Sequence, residues 1–348
     1  MFQHRRGRLK TPERQSALRF YLTFIIGLAI LGVAAIAAMR LGSVPIPLDE
    51  MATALTVPAT EWSMNQIIFM EVRVPRVLTG LFVGAGLALS GLVLQITLRN
   101  DLAEPYLLGI SSGASVGAVA VLIFGLGLAL PVAAFITGLL ALFATLLISG
   151  FRRHATVYRV VLAGVAVSAL FSALTSLMIF WAPQTDSYRQ VLHWIIGSLA
   201  SASWESVTIS ASTLLIFGGA LVALTRLLEL FQLGDAEIFG LGINTQLVRG
   251  ILLSLAALLA AGMVSVSGAI GFVGLMVPHV ARTFARTSVR RQALLSMVFG
   301  AILLVGADLV ARLIILPEEL PVGIATSILG AIALCIIMSR KNQRGVSG

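Results

Sequence analysis

Apolar runs recur along the chain at about 17 to 25 residues each, the length an α-helix needs to cross the hydrocarbon core of a bilayer. Short polar stretches separate them. Ten such spans are expected, over 20–39, 77–97, 106–124, 129–149, 160–181, 207–225, 248–266, 270–285, 293–314 and 321–338. The sharpest interruption is RNDLAEPYLLGISSGAS, residues 99–115, which sets three charges, a proline and two glycines between the second and third spans.

Composition places the chain in the membrane. Of its 348 residues 58% are hydrophobic and 11% charged, against about 25% charged in a soluble domain. The expected fold is an all-α polytopic membrane protein of ten transmembrane helices. With an even number of spans both termini share one side. Placing them in the cytoplasm collects every Lys and Arg there except Arg40, Arg73, Arg76, Arg189 and Arg312, as the positive-inside rule requires. The net charge of +9 is thus read as loop asymmetry and not as a nucleic-acid surface. Residues 1–19 read as a basic cytoplasmic tail, 20–340 as a single transmembrane domain and 341–348 as a second tail. The single cysteine, Cys335, excludes an intrachain disulfide.

Polar residues mark where such a bundle does more than anchor. In the turn after the second span, Pro105 ends any helix while Gly109 and Gly113 allow the next segment to start close against a neighbour. A solvated hairpin with a glycine seam accounts for this stretch as well as a functional turn does. EVRVPRVLTG, 71–80, sets Arg73 and Arg76 at the external mouth of the second span. An arginine at a helix end is most simply an interfacial snorkelling residue. FQLGDAEIFGLGIN, 231–244, alternates acidic residues with glycines. SGAIGFVGLMVPHVAR, 267–282, is a short glycine-rich span closing on Pro278, His279 and Arg282. GADLVARLIILPEELPVGI, 306–324, ends in an acidic turn between prolines, and Asp308 stands four residues before Arg312, the spacing of an ion pair on one helix face.

Together with GSL at 197–199, these motifs lie in an order that resembles the permease subunits of the ATP-binding-cassette importers for iron–siderophore complexes, haem and cobalamin, the type II importers. The resemblance covers about Arg73 to Arg340. It implies the type II ABC importer permease fold and a second permease subunit, identical or homologous, with the pathway between the two. It also implies two cytoplasmic ATPase subunits and an extracytoplasmic substrate-binding protein, in the inner membrane of a bacterium. Arg73, Arg76 and Arg312 fall where family members dock acidic residues of the binding protein. Residues 231–244 correspond to the segment that enters a cleft of the ATPase, with Gly234 and Gly242 turning the chain and Asp235 and Glu237 flanking a short helix. Ala236 and Ile238 depart from the family's Gly-Asp-Glu pattern, and a bulkier Ile238 is expected to pack into the partner's groove. The inner gate is expected at Asn100 and Leu102 and at Val157 and Tyr158, although Asp101 replaces a usual proline. Ser168, Ser172 and Thr175 form a stripe on the fifth span that suits a helix seam or a pathway wall equally.

Catalytic readings find little support. The two lysines, Lys10 and Lys341, lie outside any glycine-rich phosphate loop, so ATP and its magnesium belong on the partner ATPases and this chain binds no cofactor. The four histidines have no metal-ligand spacing. The rival class is a proton-coupled secondary transporter, for which Asp308 is the one intramembrane carboxylate. A glycine and serine pattern shared by 84–95 and 262–275 hints at an inverted repeat.

Overall fold

The computed structural model describes residues 11–150, 157–182, 186–233, 235–285, 288–315 and 318–345. In chain order the described helices are α1 (Thr11–Arg40), α2 (Leu48–Ala54), α3 (Met64–Thr97), α4 (Ile110–Phe124), α5 (Leu130–Ile148), α6 (Val157–Phe180) and α7 (Asp186–Ile196). They continue with α8 (Trp204–Ala223), α9 (Thr225–Leu230), α10 (Asp235–Gly240), α11 (Thr245–Ser267), α12 (Val273–Phe284), α13 (Val289–Ile314) and α14 (Val322–Gly345). Seven of them, α1, α3, α5, α6, α8, α11 and α13, are long and apolar enough to cross a membrane. α4, α12 and the apolar part of α14, 322–336, are shorter and occupy the places of the remaining three expected spans. The tail expected over 1–19 is already helical from Thr11.

The bundle is built around α3. It starts on a capping box, in which Ser63 Oγ accepts from the Gln66 N–H and the Ser63 N–H donates to Gln66 Oε1. It then runs for 34 residues, not from position 77 as the hydropathy suggests. The charged EVRVPR stretch hides the helix from a hydropathy reading but does not stop it. Pro75 has no N–H for the Glu71 carbonyl, and the turn before it, Ile68–Arg73, widens to π geometry. At 1.5 Å per residue α3 is about 51 Å long, well beyond a hydrocarbon core of about 30 Å. Glu71, Arg73 and Arg76 fall in the excess.

Because lipid is as apolar as leucine, helices here gain by close approach and not by escaping water. Glycine permits it. A Cβ on Gly84 would lie 2.3 Å from the Gly300 carbonyl oxygen of α13, and one on Gly91 would lie 2.0 Å from the Gly274 carbonyl oxygen of α12. Gly86 meets Met263 of α11 in the same way. The two segments that echo each other in sequence, 84–95 and 262–275, are therefore packed together. α1 rests on α13 at the rim, with only 11% of its central stretch buried. Replacing Gly91 with Leu should lower the melting temperature of the detergent-purified protein, since overpacking costs about 1–3 kcal/mol or more. Gly32→Leu, where nothing lies within 4 Å, should leave melting unchanged.

Candidate functional site

At one end of the bundle three arginines meet two carboxylates. Asp308 of α13 takes Arg76 through Nε and Nη2 at 2.9–3.1 Å, and Arg312 Nε lies 3.1 Å from its other face. Arg76 Nη1 reaches Glu319 at 2.6 Å. Arg312 and Arg73 donate to backbone carbonyls at the end of α1, Arg312 to Ala38 at 3.0 Å and Arg73 to Leu41 and to Val44. Gly42 leaves room beside them, since a Cβ there would displace the Arg73 guanidinium. Relative exposures of 6% for Arg73, 4% for Arg76 and 1% for Arg312 leave no guanidinium facing outward. The ion pair expected from the Asp308–Arg312 spacing is present. The expected outward-facing docking arginines are internal in this conformation, because burying three cations next to Asp308 requires that their donors be used within the chain.

At the other end the turn 99–104 folds back into the bundle. α3 ends at Thr97, Arg99 adopts φ +47°, and the Asn100 side chain accepts from the Leu102 N–H. The chain then re-enters as a 3-10 turn, Pro105–Leu108, with Pro105 packed on Gly274. Gly109 at φ +80° opens α4, and Gly113 meets Ala141 of α5, so the sequence assigned these glycines their roles. Leu107 touches α6, where a Cβ on Gly164 would lie 1.8 Å from its carbonyl oxygen.

Two polar side chains that sequence reading passed over hold this end together. Pro278, inside α12, has no N–H for the carbonyl of Gly274, and Gln95 supplies the missing donor: its Nε2 lies 3.1 Å from the oxygens of both Gly274 and Leu275. Gln95 Oε1 accepts from Arg282 at 2.9 Å, and Arg282 pairs with Asp101 at 2.5 Å. The Glu104 carboxylate faces the backbone of Phe272 at the start of α12. A glutamine in an otherwise apolar span, with a proline four residues after a glycine on the facing helix, is the signal that was legible.

Four helix ends meet beside this turn. The Ser198 N–H donates to the Ser267 carbonyl, the Gly323 N–H to the Gly197 carbonyl and the Tyr106 hydroxyl to the Ile270 carbonyl, at 2.7–3.0 Å. Around them lies a cavity of about 460 Å³, walled by Tyr106, Ile195, Ile196, Ala269, Gly271, Gly323, Ile324, Ser327 and Ile328.

Residues 29–340 match the FecCD transport family. The chain belongs to that family. It is 39% identical over 287 residues to the Hemin transport system permease protein HmuU of Yersinia pestis, covering 80% of this chain and 85% of the relative. It is 36% identical over 296 residues to the Vitamin B12 import system permease protein BtuC of Klebsiella pneumoniae, covering 83% and 88%. A solved structure described as an inward-facing metal-chelate type ABC transporter superposes with a TM-score of 0.79 at 29% identity, over 91% of this chain and 98% of that one. As a FecCD protein the chain is a transmembrane permease subunit of an ATP-binding-cassette importer with the type II fold.

The family's remaining expected sites take these positions. The coupling stretch forms α10, with Gly242 beyond it at φ +75° and Glu237 exposed. Gly234 and the side chain of Asp235 lie outside what is described. Ile238, expected in a partner's groove, is 1% exposed and packs into this chain's own core, because apolar surface on a six-residue helix finds its nearest burial against α11. Leu102 and Tyr158 are 55% and 73% exposed, whereas Val157 packs against the core. The stripe on α6 is divided: Thr175 is buried and bonded to the Phe171 carbonyl, Ser168 stands over Gly109, and Ser172 is exposed.

Asp308→Asn should destabilise the purified permease by about 3–5 kcal/mol, the cost of stranding a buried charge. Glu319→Gln, with its side chain 34% exposed, should cost about 0–1 kcal/mol. Thermal melting of the two variants in one detergent checks the order.

Proposed function

We propose that this permease imports an iron complex, a ferric siderophore or haem, in the inner membrane of a bacterium with both termini in the cytoplasm. A second permease subunit pairs with it, two ATPase subunits carry ATP and magnesium, and an extracytoplasmic binding protein delivers the cargo. The observation that carries the cargo class is the wall of the junction cavity. Isoleucine, alanine, glycine, one serine and a tyrosine whose hydroxyl is already bonded to the Ile270 carbonyl offer little to replace the hydration shell of a bare metal cation, but they suit a chelate whose charge is already masked. The hemin-transporting relative and the metal-chelate neighbour support this choice. Cobalamin, the cargo in the name of the B12 permease relative, has the same masked-metal chemistry and is the second reading.

In this account α10 is the contact with the ATPase. Ile238 ties it to the core, so displacement of α10 is passed to the bundle, and Gly242 supplies a turn that other residues adopt only with strain. Asn100, Leu102, Val157 and Tyr158 form the inner gate, and Ser168, Ser172 and Thr175 lie along the pathway. Arg73, Arg76 and Arg312 serve docking from beneath: they fix the surface on which the binding protein sits, with Glu319 at its rim. Non-helical backbone at the four-helix junction is tolerated because it borders the pathway cavity.

Uptake by vesicles holding the whole complex tests both parts, with haem, ferric siderophore and cobalamin offered in turn. Import of an iron complex is expected, and import of cobalamin alone would contradict the cargo assignment. Gly242→Pro, which forces φ from +75° to about −65°, should reduce uptake tenfold or more while the complex still hydrolyses ATP or fails to assemble its ATPase. Normal uptake in that variant would remove α10 from the mechanism.

A further inference from the structure

Resting on that reading, the structure carries a finer statement about how the coupling segment reaches the gate. Arg99, at the start of the gate turn, donates from Nε to the carbonyl oxygen of Phe231 at 2.9 Å. Phe231 is the residue from which the chain leaves the bundle toward α10. Its own ring is buried, 1% exposed, with the Arg249 guanidinium 5.5 Å above it, so the carbonyl is held firmly. Arg99 reaches it from a left-handed backbone at φ +47°, a conformation that costs a non-glycine residue about 1 kcal/mol and persists only where contacts hold it.

The other side of the same turn is fastened to α12 at both ends of that helix. Asp101 pairs with Arg282 in the last turn, and Pro105, where the turn ends, packs on Gly274 in the first. Gln95, immediately before the turn, bonds both Arg282 and the carbonyls that Pro278 leaves open. A twelve-residue helix fixed at each end to one short turn has little freedom to slide past it. Between the turn and the Phe231 segment, by contrast, lies an open cleft of about 660 Å³ lined by Arg99, Asn100, Asp101, Phe231 and Arg282. The cleft leaves Arg99 crossing a gap.

We propose that Arg99 is the positioning residue that transmits displacement of the coupling segment to the gate turn, and that α12 travels with the turn as one body. Asp101 then has a definite task, since its pairing with Arg282 makes α12 follow the turn.

The test uses the whole importer, with one permease copy spin-labelled in a Cys335→Ser background and distances measured before and after trapping with ATP and vanadate. Labels at Leu102→Cys and Val280→Cys report the turn against α12, and labels at Leu102→Cys and Ile148→Cys report it against α5, all at exposed positions. The turn-to-α5 distance should change by about 5 Å or more while the turn-to-α12 distance holds within about 2 Å, amplitudes typical of helix shifts at an interface. Arg99→Asn keeps a residue that tolerates the left-handed backbone but cannot span to Phe231. It should abolish the turn-to-α5 change and lower uptake at least tenfold with ATP hydrolysis retained. Arg99→Lys, which retains a donor, should restore most of both. Separation of the turn from α12, or a full response in Arg99→Asn, overturns this inference and leaves the proposed function standing. No change at either pair in the native chain removes the coupling reading and this inference together.

Discussion

A bilayer core offers no hydrogen-bond partner, and the architecture of this chain follows from how the charged and amide groups inside it are answered from within. α3 is the clearest case. It is sheathed by α8, α11, α12 and α13, with glycines at 84, 86 and 91 bringing neighbours to contact, and its larger polar side chains find partners on those neighbours or on α1. Gln95 answers the carbonyls left by Pro278, Ser90 donates to the Ala256 carbonyl, and Arg76 is matched to Asp308. These bonds fix how α3 is seated on α11, α12 and α13.

The same requirement is met differently at the two ends, and the difference suits a transporter. Around Asp308 the groups are buried and several times bonded, so breaking any one would strand a charge. The Asp101–Arg282 pair has side-chain exposures of 48% and 25%, where water competes and a bond is worth little by itself. One end is built to stay closed on itself. The other is held to the segment assigned to the motor by Arg99 across an open cleft, so it can shift without stranding a buried charge. Helix ends meeting between them at Gly197, Gly268 and Gly323 supply the irregular backbone that a pathway needs and a plain bundle lacks.

The places of the apolar runs were legible in the hydropathy, though only seven of the ten became helices long and apolar enough to cross a membrane among the described residues, and the FecCD motifs gave the fold class. Pro105, Gly109 and Gly113 carried their roles on the surface of the sequence, as did the four-residue spacing of Asp308 and Arg312. What hydropathy could not show was continuity: α3 passes through EVRVPR because its charges are paired inside the protein and never meet lipid. Nor could it show α7, a short helix with a strong polar face that is too brief for a span. Burial of Arg73, Arg76 and Arg312 was hidden for a related reason, since their partners lie more than two hundred residues away or on backbone carbonyls. Ile238 misled because an apolar residue in a polar loop fits an external groove and an internal core equally well. Gln95 stood at the end of the 84–95 segment, but its Nε2 answers main-chain carbonyls, which leave no mark in the side-chain pattern.

The central claim is that this chain moves cargo only when a separate ATPase drives it through α10. The most direct measurement is uptake of an iron complex against its gradient into vesicles containing the purified permease and its binding protein, with and without the ATPase subunits. Accumulation should require the ATPase and ATP. Uphill accumulation without them, sustained by a proton gradient alone, would contradict the account.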